Sequence, residues 1–95
     1  MLLEMLQEKR DQILKLAAQH GATNVRLFGS VARGEADEVS DIDFLIDAGP
    51  HLSPWFPAGL ILDLEALLGC KVDVVTPNGL KKRFREQVLQ EARPL

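Results

Sequence analysis

The sequence predicts a small α/β (α+β) fold, a mixed β-sheet covered by helices, in one domain over residues 1–95. Three observations predict it. Short apolar stretches with two-residue alternation fall at 24–28, 41–47 and 71–76, and longer stretches of helical spacing lie between and around them. Glycine and proline punctuate the junctions. The balance of 46% apolar and 26% charged residues is that of a soluble globule. Area scaling for a chain of this size buries about 64% of the extended surface, enough for a core without staples.

Each element has its own justification. Leu3, Leu6, Ile13 and Ala17 fall near one face of a first helix, opposite Lys9, Arg10, Asp11 and Lys15, and Gly21 after His20 suits its C-terminal end. Asn24 to Phe28 reads as a strand running straight into Gly29-Ser30. Residues 30–34 then suit a short helix with Ser30 as N-cap. The polar, acidic run from 34 to 40 is a loop. Asp41 to Asp47 is a second strand, with Ile42, Phe44 and Ile46 on one face and Asp41, Asp43 and Leu45 on the other. Four Gly and Pro residues make 48–57 a turn-rich connection. Leu60, Leu64, Leu67 and Leu68 carry helical spacing and Gly69 stops it. Lys71 to Thr76 is a third strand with Asp73 opposite Val72 and Val74. Asn78 is placed to cap a last helix to about Ala92, its apolar side Leu80, Phe84 and Val88.

Composition removes several function classes. A single cysteine, Cys70, excludes an internal disulfide and a cysteine-rich metal site. Two histidines far apart in the chain, His20 and His51, argue against a histidine cluster and read as surface residues. No apolar run approaches the length of a membrane span and no signal-peptide pattern opens the chain, so the expected setting is cytoplasmic. The net charge of −3 disfavours direct nucleic-acid binding. Positive charge gathers in the tail at Lys81, Lys82, Arg83, Arg85 and Arg93, which reads as the solvated side of the last helix. Trp55 and Phe56 suit either an interface anchor or local packing. The sequence contains no tyrosine.

Three carboxylates stand out. Asp41 and Asp43 share one face of a strand, their Cα atoms roughly 7 Å apart. Asp73 interrupts an otherwise apolar strand that would bring it to the same patch. Close carboxylates repel one another, and a fold tolerates them mainly where a hard divalent cation neutralises them. Taken alone, the pair is equally well read without a metal, Asp41 as a turn residue opening the strand and Asp43 as a side chain facing solvent. An EF-hand does not fit, because Leu45 occupies a ligand position. The second element is Leu27-Phe28-Gly29-Ser30, a strand turning into a helix, which offers backbone N–H groups and a hydroxyl to an anion. Arg33 follows one turn on. Neither a Gly-Lys-Ser/Thr phosphate loop nor a Gly-x-Gly-x-x-Gly motif is present.

The two elements together, Leu27-Phe28-Gly29-Ser30-Val31-Ala32-Arg33-Gly34 and Ser40-Asp41-Ile42-Asp43-Phe44-Leu45, with Lys71-Val72-Asp73-Val74-Val75-Thr76 later, closely resemble a minimal nucleotidyltransferase of the DNA polymerase beta superfamily. The resemblance runs from the first helix to the last. It implies that Gly29 and Ser30 hold the triphosphate of a nucleotide; Arg33 is a further candidate for the phosphates, equally well read as an outward-facing surface arginine. It also implies that Asp41, Asp43 and Asp73 form the catalytic and metal-binding set for two Mg²⁺ ions, with Mn²⁺ as a substitute. The implied reaction is in-line attack on the α-phosphorus of ATP with release of pyrophosphate.

Larger relatives carry a further domain for base and acceptor, and these 95 residues leave no room for one. That weakens transfer to a small molecule. Minimal members of the family are typically paired with a HEPN-domain protein as toxin and antitoxin, so the resemblance implies an antitoxin that adenylylates its partner. The alternative is a non-catalytic antitoxin that neutralises the partner by contact. Because the sequence has no tyrosine, an acceptor tyrosine must come from another chain.

Overall fold

The computed structural model describes residues 2–35 and 41–95. Its helices and strands are α1 (Leu2–Glu8), α2 (Arg10–Gln19), β1 (Ala22–Phe28), α3 (Gly29–Arg33), β2 (Ile42–Ala48), α4 (Ala58–Leu68), β3 (Val72–Val75), α5 (Lys82–Glu91) and β4 (Arg93–Pro94), with a 3₁₀ turn at Pro77–Gly79. The strands form one mixed sheet in the order β3-β2-β1-β4. β2 runs antiparallel to β1 and parallel to β3, while β4 lies antiparallel to β1.

One face of this sheet carries the core. Ile42, Phe44 and Ile46 of β2 and Val72 and Val74 of β3 point into it, as the two-residue alternation requires. Leu6, Ile13 and Ala17 meet them from α1 and α2, and Leu60, Leu64 and Leu68 from α4. β1 keeps its apolar side inward only by breaking register. Its pairing with β2 shifts between Thr23 and Arg26, and Asn24 adopts φ +51°, a left-handed conformation that asparagine tolerates. The extra residue lets Ala22, Val25 and Leu27 all face the core.

The described elements depart from expectation at several points. The first helix is two, α1 and α2, divided at Lys9, whose ammonium donates to the Leu67 carbonyl of α4. Leu3 is exposed, because the core-facing stripe passes through Leu6 instead. Ser30 does not cap α3. The helix begins at Gly29 with Phe28 in the capping position, and Gly34 ends it at φ +74°. Nor does Asn78 cap the last helix. It lies inside the 3₁₀ turn, where Thr76 Oγ1 accepts from Gly79 N, and α5 starts only after Lys81. α5 buries no residue, and Phe84 on its expected apolar side stays exposed. The short β4 had no sequence signal of its own. It is held by its pairing with β1 and by Leu95, buried in the core with its N–H donating to Val25 O.

His20 is not a free surface side chain. Its ring nitrogens lie 2.6 Å from Ser53 Oγ and 2.6 Å from Asp63 Oδ2, so it braces the end of α2 against the 49–57 connection and α4. In that connection Trp55 is 88% exposed while Phe56 packs against the core, so the packing expectation holds for one aromatic and not the other. Among the described residues no helix is long and apolar enough to cross a membrane.

Candidate active site

The face of the sheet opposite the core carries the carboxylates. The parallel pairing sets Ile42 against Val72 and Asp43 directly against Asp73. Cross-strand partners point the same way with Cβ atoms about 5 Å apart. Asp41, two residues before Asp43, lies just ahead of β2 and is exposed. The register thus brings residues 41, 43 and 73 to one side of the sheet, as the alternation pattern required.

Their electrostatics follow from that placement. Partial burial pushes the Asp43 carboxyl above its usual range, and repulsion from Asp73 and then Asp41 pushes it further, with Arg33 partly offsetting the rise. Asp73 stands on the edge strand, and one of its oxygens accepts from Val74 N at 3.0 Å. Glu65 of α4 takes the neighbouring edge donor, Val72 N, at 3.1 Å. Both carboxylates thereby blunt an otherwise unpaired strand edge.

Gly29 joins the turn to the acidic row. It has φ +72°, and a Cβ placed there would stand 2.4 Å from Asp43 Oδ2. The missing side chain therefore does two things: it permits the left-handed turn from β1 into α3, and it leaves the space that the Asp43 carboxylate fills. Ser30 follows at the head of α3, half-buried. Arg33, at the other end of α3, is engaged by two carboxylates. Its Nε donates to Glu35 Oε2 at 2.9 Å and its Nη1 donates to Glu91 Oε1.

The donor set suits a hard divalent cation. Residues 41, 43 and 73 offer only carboxylate oxygens on one face, and their mutual repulsion is what such an ion relieves. The side chains are not gathered in advance: among the described residues no group of three or more His, Cys, Asp or Glu side chains has metal-holding geometry. Asp73 keeps its second carboxylate oxygen for such an ion while the first accepts from Val74 N. Burial, then Glu65 and Asp41, push the Cys70 thiol up, away from the reactive thiolate form.

Sequence reasoning singled out the glycine–serine turn and the three aspartates; the fold sets the aspartates on one side of the sheet with Gly29 against Asp43, without gathering the three carboxylates into metal-holding geometry. It missed Glu91, the Arg33 partner 58 residues further on, and the His20 brace, because neither has a local pattern. The polar stretch before Asp41, including Ser40, lies outside the described residues.

A sheet with this acidic face beside a glycine–serine turn defines a class, and comparison with known proteins agrees. Residues 9–95 match the family model described as a nucleotidyltransferase domain. The chain belongs to that nucleotidyltransferase family. It is 40% identical over 77 residues to the protein adenylyltransferase MntA of Thermococcus cleftensis, spanning 81% of this chain and 78% of that one. It is 36% identical over 87 residues to a provisionally named protein adenylyltransferase of Methanocaldococcus jannaschii, spanning 92% and 94%. A solved structure provisionally described as a minimal nucleotidyltransferase superposes with a TM-score of 0.87 at 53% identity, covering 100% of this chain and 97% of that one. A toxin–antitoxin crystal structure with AMP-PNP follows at TM-score 0.75 and 26% identity, covering 88% and 69%. The resemblance drawn from the motifs, the fold class and the assignment as an enzyme all agree with these relatives.

Proposed function

We propose that this chain moves AMP from ATP onto a hydroxyl of a partner protein, in the cytoplasm, as the antitoxin of a toxin–antitoxin pair with a HEPN-domain partner. The observation that carries this reading is the register of Asp43 against Asp73 on the face of the sheet opposite the core, with Gly29 abutting Asp43. Relatives named as protein adenylyltransferases and a toxin–antitoxin neighbour holding AMP-PNP support the substrate and the setting.

In this reading Asp41, Asp43 and Asp73 hold the Mg²⁺ ions. Bound there, the metal neutralises phosphate charge and stabilises the attacking and leaving oxygens. The chain's own residues orient the substrate. Gly29 admits a phosphate close to the backbone, the Ser30 hydroxyl and N–H donate to its oxygens, and Arg33 adds a charged donor. Asp73 lies nearest the acceptor and takes up the proton of the attacking hydroxyl. That hydroxyl oxygen forms a bond to the α-phosphorus as the α–β bridging bond breaks, and pyrophosphate leaves. The work is positioning and charge neutralisation, which a small sheet is able to provide.

The test is incubation with ATP labelled on the α-phosphate and Mg²⁺, with and without the protein encoded by the adjacent reading frame. Label appearing on that protein, and absent with Asp43→Asn, is the expected result. Full neutralisation of the partner by Asp43→Asn would show that contact alone suffices and would overturn the catalytic reading.

A further inference from the structure

A triphosphate that approaches the turn at Gly29 meets a surface already rich in negative charge. Arg33 is the cation whose field reaches Asp43, yet its guanidinium is taken by two carboxylates. One positive and two negative charges leave that trio at −1, a poor greeting for a phosphate chain. Of the two partners, Glu91 is the more enclosed, with its side chain 20% exposed against 64% for Glu35.

We propose that Glu91, the last residue of α5, is a latch on Arg33 that the incoming triphosphate displaces, phosphate oxygens taking the place of the Glu91 carboxylate on the guanidinium. This rests on the nucleotide-binding reading above and adds to it a positioning residue that lies outside the motif. The chemistry favours exchange. A guanidinium presents a planar fork that phosphate oxygens match in pairs, and a triphosphate carries more charge than one carboxylate. Arg33 itself is exposed, and an ion pair with one partner in water is weak, so it holds Arg33 without trapping it.

The backbone is built to let only the side chain move. Ala92 N donates to Val88 O, closing the end of α5, and the next residues are tied to β1 through β4 and Leu95 N. Opening the pair therefore need not unravel the helix. Glu91 gates the phosphate donor from a distant part of the chain, which links occupancy of the nucleotide site to the surface of α5.

The experiment is calorimetric titration of AMP-PNP with Mg²⁺ into wild-type protein, Glu91→Gln, Arg33→Ala and the double variant. Removing the latch should tighten binding about threefold, the scale of an exposed ion pair. The KM for ATP should fall by the same factor with kcat unchanged. In the Arg33→Ala background, Glu91→Gln should gain nothing, and with Arg33 in place Glu91→Asp, which keeps the carboxylate, should bind as the wild type does. Unchanged or weaker binding by Glu91→Gln would overturn the latch. So would an equal gain without Arg33, which would reduce Glu91 to general charge. A wild type that binds no nucleotide would remove the proposed function as well, whereas normal wild-type binding with no change in Glu91→Gln removes the latch alone. A readout that needs no variant is the ¹³C signal of the Glu91 carboxylate in wild-type protein, which should move when AMP-PNP is added. A stationary signal at saturation refutes the exchange.

Discussion

Asp43→Asn should stabilise the metal-free protein while abolishing transfer. Asp43 is half-buried and faces Asp73 across one strand spacing, with Asp41 two residues away, so its negative charge is a local liability. Two unit charges at the cross-strand Cβ spacing of about 5 Å repel by somewhat under 1 kcal/mol in water and by about 3 kcal/mol near a protein surface; partial exposure and side chains free to splay apart argue for the low end, about 1 kcal/mol. For a domain of this size that is a rise in melting temperature of about 4–8 °C. The sign also appears in the pH dependence. Because the folded carboxyl titrates above its unfolded value, the native state holds the extra proton between the two. Stability from this group therefore falls as pH rises through that window and is fully lost above it. Asp43→Asn should lack that slope. Differential scanning calorimetry in EDTA and in Mg²⁺ is the assay. Mg²⁺ should raise the wild-type melting temperature by mass action and the variant's much less. A lower melting temperature for Asp43→Asn in EDTA, or an equal Mg²⁺ effect on both proteins, refutes the argument that these carboxylates are held together against repulsion.

Other outcomes follow from the glycines and from the histidine brace. Gly34→Ala at φ +74° meets no atom within 4 Å, so it should cost only the left-handed conformation, about 1 kcal/mol by urea denaturation. Gly29→Ala at φ +72° adds a clash with Asp43 Oδ2 and should cost at least about 2 kcal/mol and lose Mg²⁺ binding, so equal effects of the two changes would refute the role given to Gly29. His20→Ala removes two 2.6 Å contacts and should lower stability by about 1–2 kcal/mol and speed proteolytic cleavage in 49–57, with nucleotide affinity unchanged.

The strands that build the site were legible because their side chains obey the simplest rule in the fold. Alternation in 41–47 and 71–76 assigns each aspartate to the face away from Ile42, Phe44, Val72 and Val74, and parallel pairing of the two strands then fixes Asp43 beside Asp73. Helix ends were less legible. Ser30 and Asn78 have the chemistry of caps, but the chain turns one residue before the first and forms a 3₁₀ turn around the second. α5 shows a helical apolar spacing that is only partly covered, with Val88 half-buried and Phe84 exposed, because the core face is already filled by α1, α2 and α4. Contacts such as His20 with Asp63 and Arg33 with Glu91 join residues 43 and 58 positions apart, where composition and periodicity have no say.

The exposure of the acidic row also bears on catalysis. The accessible surface is 6110 Å², against about 5,400 Å² expected for a compact protein of this mass, and the acidic row stands on the side of the sheet opposite the main core, where Leu45 is fully buried but Asp41 and Asp73 are exposed. Asp73 is exposed and Asp43 only half-buried, so water competes for every interaction the row makes. Electrostatic stabilisation of a transition state grows as water is excluded. In the proposed reaction the chain that brings the acceptor hydroxyl is also the body that covers this face. One docking event then supplies the nucleophile and lowers the local dielectric around the phosphates. Weak turnover onto water and small alcohols, and strong turnover onto the docked partner, is the pattern that this division of labour requires.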